Sequence, residues 1–150
     1  MVVIAVIAIL ASVALPSFKD IIERNSLRQA VELLKSDMQF ARTEAIKQSQ
    51  NLTVSRNTGN NGAWCYGIDV GACDCGTAGD CSIKAVSGAQ FGSINLTSAG
   101  ANTGFSSRRG TANSSNTIFS SPNYTVKVYV SNGGRTLICS DTAGAGYPSC

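Results

Sequence analysis

The chain opens MVVIAVIAILASVALPSFKD and then runs to Gln48 with no glycine, and no proline after Pro16. Its first fifteen residues are apolar except for Ser12, and from Lys19 charges recur at almost every turn. As a helix rising ~1.5 Å per residue, residues 1–15 cover roughly 23 Å, short of the ~30 Å hydrocarbon core of a membrane. That length fits the hydrophobic region of a secretion signal. Yet no basic residue precedes the run, Ser12-Val13-Ala14 is a weak cleavage pattern, and no mature-domain composition follows. The run reads instead as part of a longer apolar segment whose first residues precede Met1.

From Ser17 to Gln48 the pattern is helical. Leu27, Val31, Leu34, Met38, Ala41 and Ala45 recur at steps of four and three, which places one apolar stripe on an otherwise charged helix. Residues 19–48 carry six basic and five acidic groups, and Arg28 and Glu32 have the i,i+4 spacing of a modest ion pair. Pro16 lies between the apolar and amphipathic parts, so a kink is expected there within one helix of about 45 residues. Half of such a helix has no polar face and half has a single stripe. It would stand partly in a membrane, or among similar helices, and partly against a domain.

The rest of the chain is different in kind. Charged residues make up only 14% of the sequence, against a usual ~25%, and after Gly59 the chain is rich in Gly, Ser, Thr and Asn. With 150 residues, an anchor and one domain of roughly 100 residues is the natural division. Strands are expected at Leu52–Arg56, Trp64–Val70, Ile83–Val86, Ile94–Leu96, Ile118–Phe119 and Tyr124–Ser131. In YTVKVYV, the residues Tyr124, Val126, Val128 and Val130 alternate with Thr125, Lys127 and Tyr129, the mark of a half-buried strand. The tight-turn signal NGG at 132–134 returns the chain into RTLIC as a hairpin partner. The fold class is α+β, a long N-terminal helix packed on an antiparallel β-domain. Residues 1–18 form a hydrophobic half-helix, 19–50 its amphipathic continuation, and 51–150 the β-domain.

All six cysteines, Cys65, Cys73, Cys75, Cys81, Cys139 and Cys150, fall in that domain. An even count points to an oxidising compartment and to disulfides. Cys73 and Cys75 are too close in sequence to favour a bond with each other, and the remaining pairings stay open. The first four cysteines lie within 17 residues, as in a Cys₄ zinc site, but Cys-x-Cys is not the usual knuckle spacing and the chain has no histidine. Without histidine there is no conventional Ser-His-Asp or Cys-His pair. All three glutamates lie on the helix, and Asp69, Asp74, Asp80 and Asp141 read as turn formers. Asp74 and Asp80 could hold calcium, though without EF-hand spacing, and no phosphate-cradling glycine motif occurs. The sequence reads as a non-enzyme that needs no cofactor and no metal. One charged set stands out. From Ser82 onward there are five basic groups against the single acid Asp141. Arg108, Arg109, Lys127 and Arg135 are candidates for neutralising phosphates, with Tyr147 a candidate for stacking a base. The sequons at Asn51, Asn95, Asn113 and Asn123 read as chance in so Asn/Ser/Thr-rich a chain.

The opening MVVIAVIAILASVALPSF is similar to the N-terminal helix of type IV pilins and type II secretion pseudopilins. In that family a short basic leader and a Gly-Phe-Thr-Leu-Ile-Glu-Leu segment come just before such residues. That segment carries the methylated N-terminus and the assembly glutamate, and the chain as given starts beyond it. Pro16 falls where the family has its helix-breaking proline. LKSDMQFARTEAIKQSQNLTV, WCYGI, RGT and VYVSNGGRTLICSD resemble the FimT/FimU minor pilins and the GspH pseudopilin group. The resemblance implies a lollipop, a long helix carrying a β-domain of two antiparallel sheets, and a disulfide between Cys139 and Cys150. The other four cysteines would then staple the 65–81 loop. It also implies a single-pass inner-membrane anchor before assembly and a place in a filament with major and minor pilins afterwards, as a type IV minor pilin in a priming or tip complex. Two alternatives share the architecture: a minor pilin that binds double-stranded DNA during natural transformation, and a type II secretion pseudopilin. The DNA-uptake members carry Gly-Arg-x-Arg. Here Gly134 and Arg135 fit, and Leu137 replaces the second arginine, leaving Arg108 and Arg109 to compensate if the fold brings them near.

Overall fold

A computed structural model describes residues 18–97 and 99–150 in full, together with the helical path from Val2. Helix α1, Val2–Gln48, is 47 residues long, or roughly 70 Å. The kink expected at Pro16 and the anchoring half at 1–18 fall on residues outside those fully described, except Phe18. Among the described residues no helix is long and apolar enough to cross a membrane. The helix stops without glycine. Ser49 takes a left-handed φ of 55°, the Gln50 amide bonds back to Ala45 O at 3.1 Å, and the Ser49 amide to Ile46 O at 3.2 Å. This paired ending satisfies the last carbonyls and turns the chain sharply into the first strand.

Eight strands follow: β1 Leu52–Asn57, β2 Cys65–Asp69, β3 Lys84–Ser87, β4 Asn95–Ala99, β5 Thr103–Phe105, β6 Ser115–Ser120, β7 Thr125–Val130 and β8 Thr136–Ser140. They form two four-stranded sheets, one ordered β3-β2-β1-β5 and the other β4-β6-β7-β8, with antiparallel pairing throughout. The registers put apolar side chains in line, Val54 beside Ile68 in the first sheet and Phe119 beside Val126 in the second. Six observed strands, β1, β2, β3, β4, β7 and β8, begin or end within a few residues of the expected ones. The short β5 was not expected from the sequence, and β6 is longer than the Ile118–Phe119 core of its signal.

The core lies where α1 crosses both sheets. Leu27, Val31, Leu34, Met38, Ala41 and Ala45 are all fully buried, with Ala30 beside them. Against this stripe pack Leu52 and Val54 of β1, Tyr66 and Ile68 of β2, Phe105 of β5 and Val126, Val128 and Val130 of β7. Trp64 closes one side of the core. Its ring lies parallel to Phe91 at 5.8 Å and edge-on to Phe119 at 5.2 Å, and its indole N–H donates to Ile94 O at 2.8 Å. Satisfying that N–H is what lets so large an amphipathic ring be buried. Below Leu27 the helix has no buried side chain among those described, and Phe18, Ile21 and Ile22 are 63%, 49% and 50% exposed.

Candidate functional site

Three groups of side chains set what this molecule can do: the seat of the helix, the arginine-bearing loops at its C-terminal end, and the disulfide loops.

The helix seat is locked by a carboxylate within the apolar stripe. Asp37 is buried, and both its oxygens are engaged. Lys84 Nζ of β3 lies 2.6 Å from Oδ1, and the Tyr66 hydroxyl of β2 donates to Oδ2 at 2.7 Å. A buried carboxylate is tolerated only when paired in this way. Burial, and then Asp37, push the Tyr66 phenol above the usual tyrosine range. Arg56 makes a second interior link, from β1 across to the other sheet. Its Nη1 donates to Thr117 Oγ1 and its Nη2 to Ala101 O, both at 2.5 Å, and burial pulls the guanidinium down to about 10. Neither link is marked by any sequence motif. The one available signal for Asp37 is its position, since it falls on the buried stripe between Leu34 and Met38.

At the far end of the seat, the C-terminal end of α1, the cationic residues come together in part. Arg108 and Arg109 are exposed on the loop before Gly110, and Arg135 is exposed on the β7–β8 turn. That loop and turn touch. A Cβ on Gly134, whose φ is +73°, would lie 2.0 Å from Gly110 O, so glycine is required for the approach. Ala112 N donates to Asn132 O at 3.0 Å and Ser114 N to Asn132 Oδ1 at 3.0 Å, tying the two segments together. Arg42 of α1 lies beside both. Its Nε donates to Gly110 O at 3.0 Å and would lie 3.0 Å from a Gly134 Cβ. Sequence reasoning missed Arg42, which reads there as an ordinary helix charge. Among the described residues, none of Arg42, Arg108, Arg109 and Arg135 forms a salt bridge.

Two members of the expected set are elsewhere. Lys127 projects from the outer face of β7 and pairs with Asp141 Oδ2 at 3.0 Å, so its charge is neutralised locally. Tyr147 is not available to stack a base at the arginines. Arg28 sits 5.8 Å over its ring and its hydroxyl donates to Glu32 Oε1 at 3.1 Å. Fourteen residues separate Arg28 from Arg42, roughly 21 Å along the helix. The same contacts replace the expected Arg28–Glu32 pair, and Glu32 pairs with Lys35 instead at 3.4 Å.

The sulfurs pair as Cys65–Cys75, Cys73–Cys81 and Cys139–Cys150. The first two interlock into a loop that lies on the outer face of β1 and β2. Gly67 makes the room, since a Cβ there would sit 2.1 Å from Cys81 Sγ. The acids of this loop bind backbone. Asp69 accepts from Val70 N at 2.6 Å and Ser82 N at 2.7 Å, and Asp74 accepts from Gly76 N at 3.0 Å and Asn57 Nδ2 at 2.7 Å. These bonds hold both carboxyls below their usual range, led by Ser82 N at Asp69 and by Gly76 N at Asp74. Asp80 accepts from Asp74 N at 2.5 Å. The side-chain amides of Asn51, Asn95, Asn113 and Asn123 are likewise engaged in hydrogen bonds.

Comparison with known proteins bears on the whole arrangement. The family model described as type II transport protein GspH matches residues 30–134. Two crystal structures of the type IV minor pilin FimU of Pseudomonas aeruginosa strain PAO1 are similar in fold. One, in space group P21, shares 19% identity over 77% of this chain and 90% of that one, with a TM-score of 0.57. The other, in P65, shares 16% over 74% and 90%, with a TM-score of 0.54. No curated protein sequence matches significantly.

Proposed function

The chain belongs to the GspH family of type II transport proteins, and from that premise we propose that it is a minor pilin, a structural subunit built into a type IV pilus at its priming or tip complex. The observation that carries this reading is the unclad helix. The domain buries α1 side chains only from Leu27 onward, and Phe18, Ile21 and Ile22 stand in the open below it. Exposed apolar side chains in a row on a protruding helix need other helices, or lipid, to cover them. In this reading the protein waits in the inner membrane as a single-pass subunit, its β-domain in the periplasm. It then moves into the extracellular filament, where its partners are other major and minor pilins. Cells carrying an affinity-tagged copy test this. The chain is expected in sheared surface filaments, and Ile21→Asp with Ile22→Asp should remove it while the domain still folds. Intact filaments without the chain would overturn the proposal. A deletion that stops protein secretion and spares the filaments would assign it to a type II secretion pseudopilus.

One observation favours a second reading, binding of double-stranded DNA. The loop carrying Arg108 and Arg109 touches the turn carrying Arg135 where Gly110 meets Gly134, beside Arg42, and among the described residues none of these arginines pairs with a carboxylate. Such a set neutralises phosphates without reading sequence, and its affinity falls steeply with salt. Titration of duplex DNA onto the full chain in detergent, at two salt concentrations, is the test. Arg108→Ala, Arg109→Ala and Arg135→Ala should each weaken binding and flatten the salt slope, and Lys127→Ala should not. Equal loss in Lys127→Ala, or no binding at low salt, removes this reading.

A further inference from the structure

Between the apolar seat and its exposed lower part, α1 is tied to the domain by a set of hydrogen bonds and one cation–π contact. Two loops at that end of the domain make them. The β6–β7 turn supplies the first jaw: Asn123 N and Nδ2 donate to the Glu23 carboxylate at 2.8 and 3.0 Å, and the Tyr124 hydroxyl donates to Asp20 Oδ1 at 2.9 Å. The C-terminal loop supplies the second. Arg24 Nη1 donates to Gly144 O at 2.9 Å, Arg28 lies over the Tyr147 ring, and Tyr147 donates to Glu32. Apart from the part-buried Tyr124–Asp20 bond, these hydrogen bonds are exposed, and such surface contacts are weak by their nature. They hold only if the loop is already ordered. The loop is anchored by the buried Ala145, by Ser140 bonding to Pro148 O at 2.8 Å and accepting from Cys150 N at 3.2 Å, and by the Cys139–Cys150 disulfide. Cys150 is exposed and Cys139 half-buried, so the bond is open to exchange.

We propose that the 139–150 loop is a redox-dependent clasp: oxidised, it docks residues 20–28 of α1 to the domain, and reduced, it releases that segment and leaves a hinge just below Leu27. Reduction by a dithiol cleaves the Cys139–Cys150 S–S bond with two electrons and two protons, and the dithiol leaves as its disulfide. The loop then regains its conformational freedom, and its contacts no longer outweigh the entropy of making them. The first jaw does not depend on this disulfide, so release is partial. The apolar seat from Leu27 to Ala45 stays closed. The clasp stands whether or not the filament reading does, because it concerns only how the helix is held.

Hydrogen exchange on the full chain in detergent tests it, read by mass spectrometry on peptides covering 18–26 and 30–45. Against the wild type, Cys139→Ser/Cys150→Ser should raise exchange in 18–26 about tenfold and leave 30–45 unchanged. Arg24→Ala/Arg28→Ala, with all three disulfides intact, should reproduce the effect. Adding Asn123→Ala to either should raise it further. Unchanged exchange in 18–26 in the cysteine variant overturns the proposal. So does an equal rise across 30–45, which would mean that the disulfide stabilises the whole domain and clasps nothing.

Discussion

Asp37 and its two partners show how one buried charge fixes the seating of a helix. Lys84 and Tyr66 reach it from neighbouring strands, so α1 cannot rotate or slide without stranding a carboxylate. Lys84→Met removes the cation and leaves Asp37 with one hydrogen bond. Because the Lys84 side chain is 39% exposed, the loss should be about 1–3 kcal/mol, below that of a fully buried pair, and urea unfolding of the variant measures it. Tyr66 adds a pH dependence whose sign follows from its raised pKa. The folded chain keeps the phenolic proton where the unfolded chain, titrating near 10, has lost it. Its contribution is therefore complete below about pH 10 and declines as the pH rises past that point. Arg56 acts in the opposite sense: the cost of burying its charge is present below about 10 and eases above it. Tyr66→Phe should thus flatten the alkaline fall in urea midpoint above about pH 10. An identical fall in the variant would assign it to Tyr124 and Tyr147, whose pKa values are also raised.

The elements differ in how openly the sequence declares them. The stripe on α1 was legible because burial against two sheets selects apolar residues at helical spacing, and no other structure uses that period. The same holds for β7, where Val126, Val128 and Val130 face the core. On this reading Val31→Asp or Leu34→Asp places an unpaired charge where Asp37 has partners and these positions have none. Each should cost several kcal/mol and lower the unfolding temperature sharply, and a variant with wild-type thermal stability would show the stripe misassigned. Thr103–Phe105 was not legible. Three residues carry too little pattern, and β5 exists because β1 offers it an edge in the register Leu52–Phe105. The arginine surface was half legible. Arg108, Arg109 and Arg135 are visible as charges in a charge-poor region. The meeting of the segments that carry them depends on Arg42 and on the contact of Gly110 with Gly134, joining three segments far apart in the chain. Sequence spacing carries no record of such a contact. Tyr147 was misplaced for the same reason, since only the path of the C-terminal loop sends it to Arg28.

At the scale of the molecule, the core and the disulfides do separate work. The core is made by α1 and the inner faces of the two sheets, and of the six half-cystines only Cys81 is buried, at 8% exposure. The interlocked loop held by Cys65–Cys75 and Cys73–Cys81 lies on the outside of the first sheet, with Cys73 N bonded to Ser55 Oγ at 3.1 Å. A cross-link of this kind acts chiefly by restricting the unfolded chain. Sequence separations of 10 and 8 make each loop worth about 2–3 kcal/mol at most, and overlapping loops contribute less than their sum. Replacing all four of these cysteines by serine should therefore cost about 2–5 kcal/mol and lower the unfolding temperature by about 10–15 °C. The transition should stay single and cooperative, because no apolar residue beneath the helix loses its neighbours. Calorimetry of the full chain in detergent distinguishes this from the alternative. A broad or split transition would make the loop an integral wall of the domain, whereas a lower but sharp one would confirm a core that stands on helix and sheets alone.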